Sequence, residues 1–170
     1  MKSIFAALFL ILKIVSAEFE IDESVLFGLG EGCGSKDISH NVNFLKWLEN
    51  CKVIYGHLRI ANLASEKINE FQFPELRHVT DYVVFDNVSN LVSLEKLFPS
   101  LTTILGEKTF RGSSLLIFNN PNLLTIGLKS LRQVRDGIIK IENNPSLCFV
   151  KTINWNLLTN KSEVIHSVRN

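Results

Sequence analysis

The stretch from Leu115 to Ile126 reads Leu-Leu-Ile-Phe-Asn-Asn-Pro-Asn-Leu-Leu-Thr-Ile and opens with a five-residue unit: apolar, any, apolar, any, Asn. The unit occurs four times along the chain, at Leu58–Asn62, Val83–Asn87, Leu115–Asn119 and Ile139–Asn143. The copies start 25, 32 and 24 residues apart, which is the spacing of a solenoid. An insertion at Gly106–Ser113 explains the longest spacing. Each copy predicts one short strand, with its first and third residues inward and its second and fourth outward.

Apolar segments flank every strand and can form the other sides of each rung. They are Phe73–Val79, Phe98–Ile104 and Leu128–Val134 upstream, and Asn90–Leu94, Asn122–Ile126 and Ser146–Val150 downstream. Because one rung cannot bury its own apolar side, the rungs must stack. The Asn that ends each strand tolerates left-handed backbone and bonds its own turn, so the stacked asparagines predict a corner ladder. The sequence therefore predicts a mainly β, leucine-rich-repeat-like solenoid.

The segment Asn41–Asn50 predicts a helix that caps the N-terminal end of this solenoid. Asn41 is a suitable cap, and Val42, Leu45 and Leu48 recur at helical spacing. The first rung of a solenoid has an open end, which an amphipathic helix can cover.

The first 17 residues look like a secretory signal peptide. Lys2 supplies a positive start, Ile4–Leu12 is an apolar run, and Val15-Ser16-Ala17 offers small residues for cleavage. The run is far shorter than the ~20 residues that a membrane span needs, and we expect no later span. Removal of this peptide, with Lys2 and Lys13, changes the net charge from +1 to −1. A nucleic-acid surface is usually basic, so this charge does not suggest one.

The 170 residues correspond to one domain, and 46% of them are apolar, enough for a sizeable core. We divide the chain into a signal peptide (1–17), a flexible lead-in (18–32), the solenoid domain (33–158) and a polar tail (159–170).

The chain has three cysteines, so one is left over if the others pair. Cys33 and Cys51 are expected to form a disulfide. Closing the loop between them would stabilise the folded state by ~3 kcal/mol. Cys148 stands where Leu124 stands in the previous repeat, which predicts a buried thiol. If Cys148 is instead exposed, it could link two copies of the chain.

Two glycosylation sequons are present, Asn87-Val88-Ser89 and Asn160-Lys161-Ser162. Asn160 falls in the polar tail and is expected to be fully modified. Asn87 also occupies a corner of the predicted ladder, so we expect partial modification or none there.

Several segments together resemble the first, N-terminal receptor L domain of the insulin receptor family. They are Asn50–Ile60, Thr80-Asp81-Tyr82, Leu97–Ile104, Ile141–Asn144, Leu147-Cys148, Thr152-Ile153 and Trp155. The resemblance covers about Cys33 to Leu158. It implies a short right-handed β-helix whose central sheet contacts insulin-like hormones with its outward side chains. It also implies that Cys148 matches a cysteine which the family pairs with one further downstream.

The resemblance identifies a set of candidate ligand-binding residues. They are Arg59, Val84, Leu116 and Lys140 in one outward column, Ala61, Asp86, Phe118 and Glu142 in the next, and Asp37 and Phe110 at the border. Adjacent Val84, Leu116 and Phe118 predict an exposed apolar patch rimmed by charge, of the kind that marks interfaces. The alternative is that loops cover them. Asp86, Arg111 and Ser113 stand where the receptors carry aromatic residues of the hormone site.

Two functions follow from this resemblance. The first is a secreted protein that binds insulin-like peptides, or their receptor, and modulates signalling. The second is an N-terminal fragment or truncated form of an insulin-like receptor tyrosine kinase.

We expect no enzyme, no cofactor and no metal. Asp86 and Glu142 share a column at ~9–10 Å, which approaches the carboxyl spacing of an inverting glycosidase. However, Phe118 lies between them. The four histidines, His40, His57, His78 and His166, show no metal-ligand spacing.

Overall fold

The computed structural model describes residues 32–150, 153–159 and 164–167, the last of these by their backbone alone. The predicted signal peptide, almost all of the lead-in and the Asn160 sequon lie outside the described residues. Within them the strands are β1 (Gly32–Ser39), β2 (Val53–Leu63), β3 (His78–Val79), β4 (Val83–Val88), β5 (Thr103–Ile104), β6 (Ser113–Phe118), β7 (Gln133–Val134), β8 (Ile138–Glu142) and β9 (Val164–Ser167). Among the described residues, 3₁₀ helices span Val42–Leu48, Glu66–Glu70 and Trp155–Leu157.

One sheet joins these strands in the order β7-β5-β3-β2-β4-β6-β8-β9, with β1 also paired to β2. Every strand pairing among the described residues is parallel. The long strand β2 belongs to two ladders, because its start pairs with β3 and its end with β4. The prediction of a mainly β fold is therefore confirmed, with the described strands in a single sheet.

The four repeats align as their spacing predicts. Leu58 lies opposite Val83, Val83 opposite Leu115, and Leu115 opposite Ile139. The first and third residues of every unit are buried, namely Leu58, Ile60, Val83, Phe85, Leu115, Ile117, Ile139 and Ile141. A second ladder of short strands stacks Val79, Ile104 and Val134 against this core.

The asparagines form two rows rather than one. All four asparagines at the strand ends have left-handed backbone, with φ of 49° at Asn62, 56° at Asn87 and 55° at both Asn119 and Asn143. Asn62 and Asn87 are exposed, and Asn87 Nδ2 donates a hydrogen bond of 3.0 Å to Asn62 Oδ1. The buried ladder lies one residue later, where the Asn144 side chain accepts from the Asn120 backbone and side-chain N–H groups. The corner prediction is thus confirmed for the backbone, whereas the inward side chains come from the following residue.

The helix predicted at Asn41–Asn50 is a 3₁₀ helix. Asn41 caps it as predicted, because its side chain accepts a hydrogen bond of 2.9 Å from the Asn43 N–H. Residues three apart align in a 3₁₀ helix, so Leu45 and Leu48 share the buried face. For the same reason Phe44 and Trp47 share another face, where their rings stack at 4.4 Å and remain exposed.

The disulfide between Cys33 and Cys51 is confirmed, with a Cα–Cα distance of 5.7 Å. It ties β1 to Cys51, which stands two residues before the start of β2. The sequence prediction missed β1, because its residues lack the apolar alternation of the other strands.

The prediction of a buried Cys148 thiol is wrong, since Cys148 is an exposed free cysteine. Its alignment with Leu124 holds: the Cys148 N–H donates to the Leu124 carbonyl, and the Leu124 N–H donates to that of Val92, both at 2.9 Å. However, Val92 and Leu124 are themselves exposed, because Leu123 takes the inward position in its rung. We call Val92, Leu124 and Cys148 the exposed row.

The end of the chain also differs from its prediction. Residues Val164–Ser167, within the predicted polar tail, form β9 and extend the sheet beyond β8. An open strand edge presents unpaired backbone groups, which a further strand of almost any sequence can satisfy.

Candidate functional site

The register of the sheet brings the predicted site residues onto one surface, which we call the outward face. Its first column runs through Asp37, Arg59, Val84, Leu116 and Lys140, and its second through Ala61, Asp86, Phe118 and Glu142. Nine of the ten candidates lie in these two columns, and Phe110 lies on the loop before β6. The family resemblance therefore identified residues that the fold places together.

The loop that carries Phe110 ends in a tight turn. Phe110 and Ser113 exchange backbone hydrogen bonds of 2.8 and 2.9 Å. Arg111 and Gly112 between them have φ of 51° and 79°, as in the turns that close two-residue hairpins. The turn holds the Phe110 ring 5.6 Å from the Tyr82 ring and 6.0 Å from the Arg59 guanidinium carbon. Phe110 thus extends over the first column.

The prediction of an exposed apolar patch is wrong for two of its three residues. Val84 is 0% exposed and Leu116 is 6% exposed, whereas Phe118 is half-buried. Arg59 and Tyr82 are the neighbours of Val84 on the same face, and both contact the Phe110 ring. The Phe110 loop and these longer side chains therefore shield Val84. Phe118 and Phe110, which are both half-buried, therefore contribute aromatic surface to the face.

Charges cluster where β1 meets β2. The Asp37 carboxylate lies 2.8 Å from His57 Nε2 and 3.5 Å from Arg59 Nη1. The His57 ring stacks on the Tyr82 ring at 4.7 Å, almost parallel. Burial raises the pKa of Tyr82, and the negative charges of Asp37 and Asp81 raise it further against an opposing effect of Arg59. This corner of the face therefore combines ion pairing with aromatic stacking.

His57 and Tyr82 were not among the predicted site residues, although they extend the face by one column. A simple signal was present: each stands two residues before a residue of the first column, namely Arg59 and Val84. Because side chains alternate along a strand, residues two apart share a face.

The opposite end of the face is also charged. Lys140 Nζ lies 3.2 Å from Glu142 Oε2, so this pair joins the two columns. Phe118 stands between Asp86 and Glu142 in the second column. An aromatic side chain flanked by partly exposed charges is suited to contact a protein or peptide surface.

Arg111 and Ser113 are two of the positions where the family resemblance implies an aromatic residue in the receptors. The Arg111 guanidinium carbon lies 5.4 Å from the centre of the Phe110 ring, within the range of a cation–π contact. Ser113 is buried, and its hydroxyl finds no hydrogen-bond partner in the described part of the chain.

In the ranges that the structure describes, no helix has the length and apolar character needed to cross a bilayer. The fold and the outward face define a class of protein: a parallel-sheet repeat domain with a charged, partly aromatic face. The family model described as "Receptor L domain" matches residues 50–159.

Curated relatives give the branch of this family. The chain is 41% identical over 154 residues to the mouse "Insulin receptor-related protein", covering 85% of this chain and 12% of the relative. It is 42% identical over 130 residues to the Xenopus laevis "Insulin-like growth factor 1 receptor", covering 74% and 10%. It is 41% identical over 123 residues to the Drosophila melanogaster "Insulin-like receptor", covering 72% and 6%. The chain belongs to the receptor L domain family, as an L domain of the insulin receptor type, and spans about a tenth or less of the length of these relatives.

Proposed function

We propose that this chain is an extracellular, non-catalytic domain whose outward face binds an insulin-like peptide. One observation carries the proposal: the register gathers Arg59, Phe118, Lys140 and their column neighbours on one face, with Phe110 held over it. The names of the three relatives, all receptors of insulin type or related to them, support a peptide hormone as the ligand.

The anchors of this interface are Phe118 and Phe110. Binding energy in protein interfaces concentrates in a few aromatic and arginine residues near the centre, surrounded by a polar rim. Phe118 is central in the second column, and Arg59 and Lys140 stand toward the ends of the first. The burial of Val84 and Leu116 makes them supports for the surface rather than direct contacts.

An extracellular location agrees with the disulfide between Cys33 and Cys51, since disulfides persist in oxidising compartments. The signal-peptide pattern of residues 1–17 supports the same location. We also infer that the coil is a right-handed β-helix with Val42–Leu48 at its first end. Parallel strands of one sheet are joined by right-handed crossovers in nearly all proteins.

A receptor fragment is the second candidate. The chain spans 12% or less of the length of these three relatives, so as a fragment it would correspond to one part of a much longer receptor. Exposed Cys148 is available to pair with a cysteine further downstream. A transcript that extends past Asn170 into cysteine-rich repeats would establish this candidate.

For a chain that exists alone, we propose a disulfide-linked homodimer through Cys148. Two thiols would form one disulfide, and an oxidant such as a thiol oxidase would take up the two electrons and two protons. Cys148 is exposed beside Phe149, which is 72% exposed. Loss of the dimer in Cys148→Ser on a non-reducing gel supports this pairing, and a monomeric wild type excludes it.

The ligand test uses the purified chain and insulin-like peptides from its own organism. Phe118→Ala should weaken binding by ~30-fold or more, which corresponds to ~2 kcal/mol. Phe44→Ala is the matched control, because Phe44 is an exposed aromatic residue outside the outward face. Equal binding by wild type and Phe118→Ala would show that the ligand contacts another surface.

A further inference from the structure

The four corner asparagines differ in one respect that concerns modification. Among Asn62, Asn87, Asn119 and Asn143, only Asn87 begins an N-x-Ser/Thr sequon. The corner residues Asn62 and Asn87 are exposed, and their hydrogen bond to each other lies at the surface. The side chain of Asn87 is therefore accessible, contrary to the expectation that the ladder holds it inside the turn.

The inward ladder does not need the Asn87 side chain. Asn120 accepts a hydrogen bond from the Val88 N–H at 3.0 Å and donates to the carbonyls of Phe85 and Phe118. Asn144 donates to two further carbonyls in the same way. The turn after β4 is thus held by Asn120, and Asn87 can be changed without leaving a buried polar group unpaired.

The hydrogen bond from Asn87 to Asn62 can persist after a substituent is attached to the Asn87 amide nitrogen. Its Nδ2 carries two hydrogens and donates one bond, to Asn62 Oδ1. After substitution at the nitrogen, one N–H remains and can still donate to Asn62. The left-handed backbone at Asn87 would also be unchanged, since the modification adds atoms only at the end of the side chain.

We propose that Asn87 carries an N-linked glycan. The reaction joins the amide nitrogen to C1 of the first sugar of a lipid-linked oligosaccharide diphosphate. The bond between C1 and the phosphate oxygen breaks, the lipid diphosphate leaves, and the amide loses one proton. The proposal rests on the extracellular location proposed above. Asn87 directly follows Asp86, so the glycan stands at the border of the outward face, at the strand ends opposite the Phe110 loop.

Mass spectrometry of the secreted chain tests the proposal. The full chain is expressed in animal cells with a standard secretory leader, so that the result does not depend on residues 1–17. Peptides containing Asn87 should carry a glycan, and enzymatic removal should convert this residue to Asp. Ser89→Ala should abolish the modification, whereas Ser89→Thr should retain it. Unmodified Asn87 in secreted wild-type chain overturns the proposal, whatever is found at Asn160.

A pair of new sequons tests its structural basis. Ala64→Thr creates a sequon at Asn62, an exposed corner, and this variant should be secreted with one additional glycan. Pro145→Ala creates a sequon at Asn144, which is buried and uses both amide hydrogens in bonds to carbonyls. Secreted Pro145→Ala chain should therefore be unmodified at Asn144. A secreted chain with a glycan on Asn144, or the absence of one on Asn62 in Ala64→Thr, would show that corner exposure does not decide modification.

Discussion

The inward and outward faces of β2, β4, β6 and β8 both contain fully buried side chains, but for different reasons. Inward residues such as Phe85 and Ile117 pack in the core among the other sides of the rungs. The outward residue Val84 is equally buried, yet its cover consists of its longer neighbours and the Phe110 loop. Burial by itself therefore does not separate the inward face from the outward face. The two faces differ in what buries their side chains: the core buries the inward residues, whereas a surface loop and longer neighbours bury Val84.

The largest expected difference between the two faces is in stability. Ile117→Ala should lower the free energy of unfolding by ~2–5 kcal/mol, because it opens a cavity in the core. Phe118→Ala, one residue later and outward, should lower it by less than ~1 kcal/mol, since this side chain is half-exposed. Urea denaturation of both variants measures the difference. The reverse order would mean that β6 is shifted by one residue.

The two asparagine rows provide a second comparison of inward with outward. Asn120→Ala should lower the free energy of unfolding by ~2–3 kcal/mol, because it leaves buried backbone groups without partners. Asn119→Gly should change it by ~0.5 kcal/mol or less, since glycine adopts the left-handed backbone that Asn119 has. Thermal or urea unfolding decides between them. Similar losses in both variants would contradict a ladder built on the later asparagine.

Replacing Phe110 tests directly whether its ring shields the outward face. Phe110→Ala should lower stability by only ~1 kcal/mol, as expected for a partly buried ring. It should also lower the pKa of Tyr82 toward its ordinary value of 10.0, because burial is the main cause of its raised pKa. Absorbance titration in a Tyr55→Phe background measures this change, and Phe44→Ala serves as the control. An unchanged titration would show that Phe110 does not shield Tyr82.

The smallest expected effect concerns pH and His78 at the short ladder. Burial, and secondarily the charge of Arg77, lowers the pKa of His78 below its ordinary value of 6.5. The folded state therefore disfavours the proton that the unfolded state binds. The resulting contribution to stability is present above pH 6.5 and is lost as the pH falls below it. His78→Gln should lose less stability than wild type between pH 7 and pH 5 in urea denaturation. Equal losses would contradict the assignment.

Much of the scaffold could be predicted from the sequence. The alternation of apolar residues set which side of each strand is inward, and the repeat spacing set the register of Leu58, Val83, Leu115 and Ile139. The cysteine spacing predicted the disulfide, which the structure confirms. Most of the outward face followed as well, because a known register places residues of equal repeat position in one column.

Other features became visible only in the tertiary structure. Repeat alignment placed Cys148 beside Leu124, but did not show that the exposed row faces solvent. Local pattern likewise could not predict the shielding of Val84, since the Phe110 loop is far from it in sequence and the position of Phe110 against Tyr82 and Arg59 depends on how the loop folds back. The sequence by itself determined the inward faces and the pairing of the four repeat strands β2, β4, β6 and β8, because these depend on local periodicity. The tertiary structure decided what covers the outward face, because that depends on contacts between distant segments.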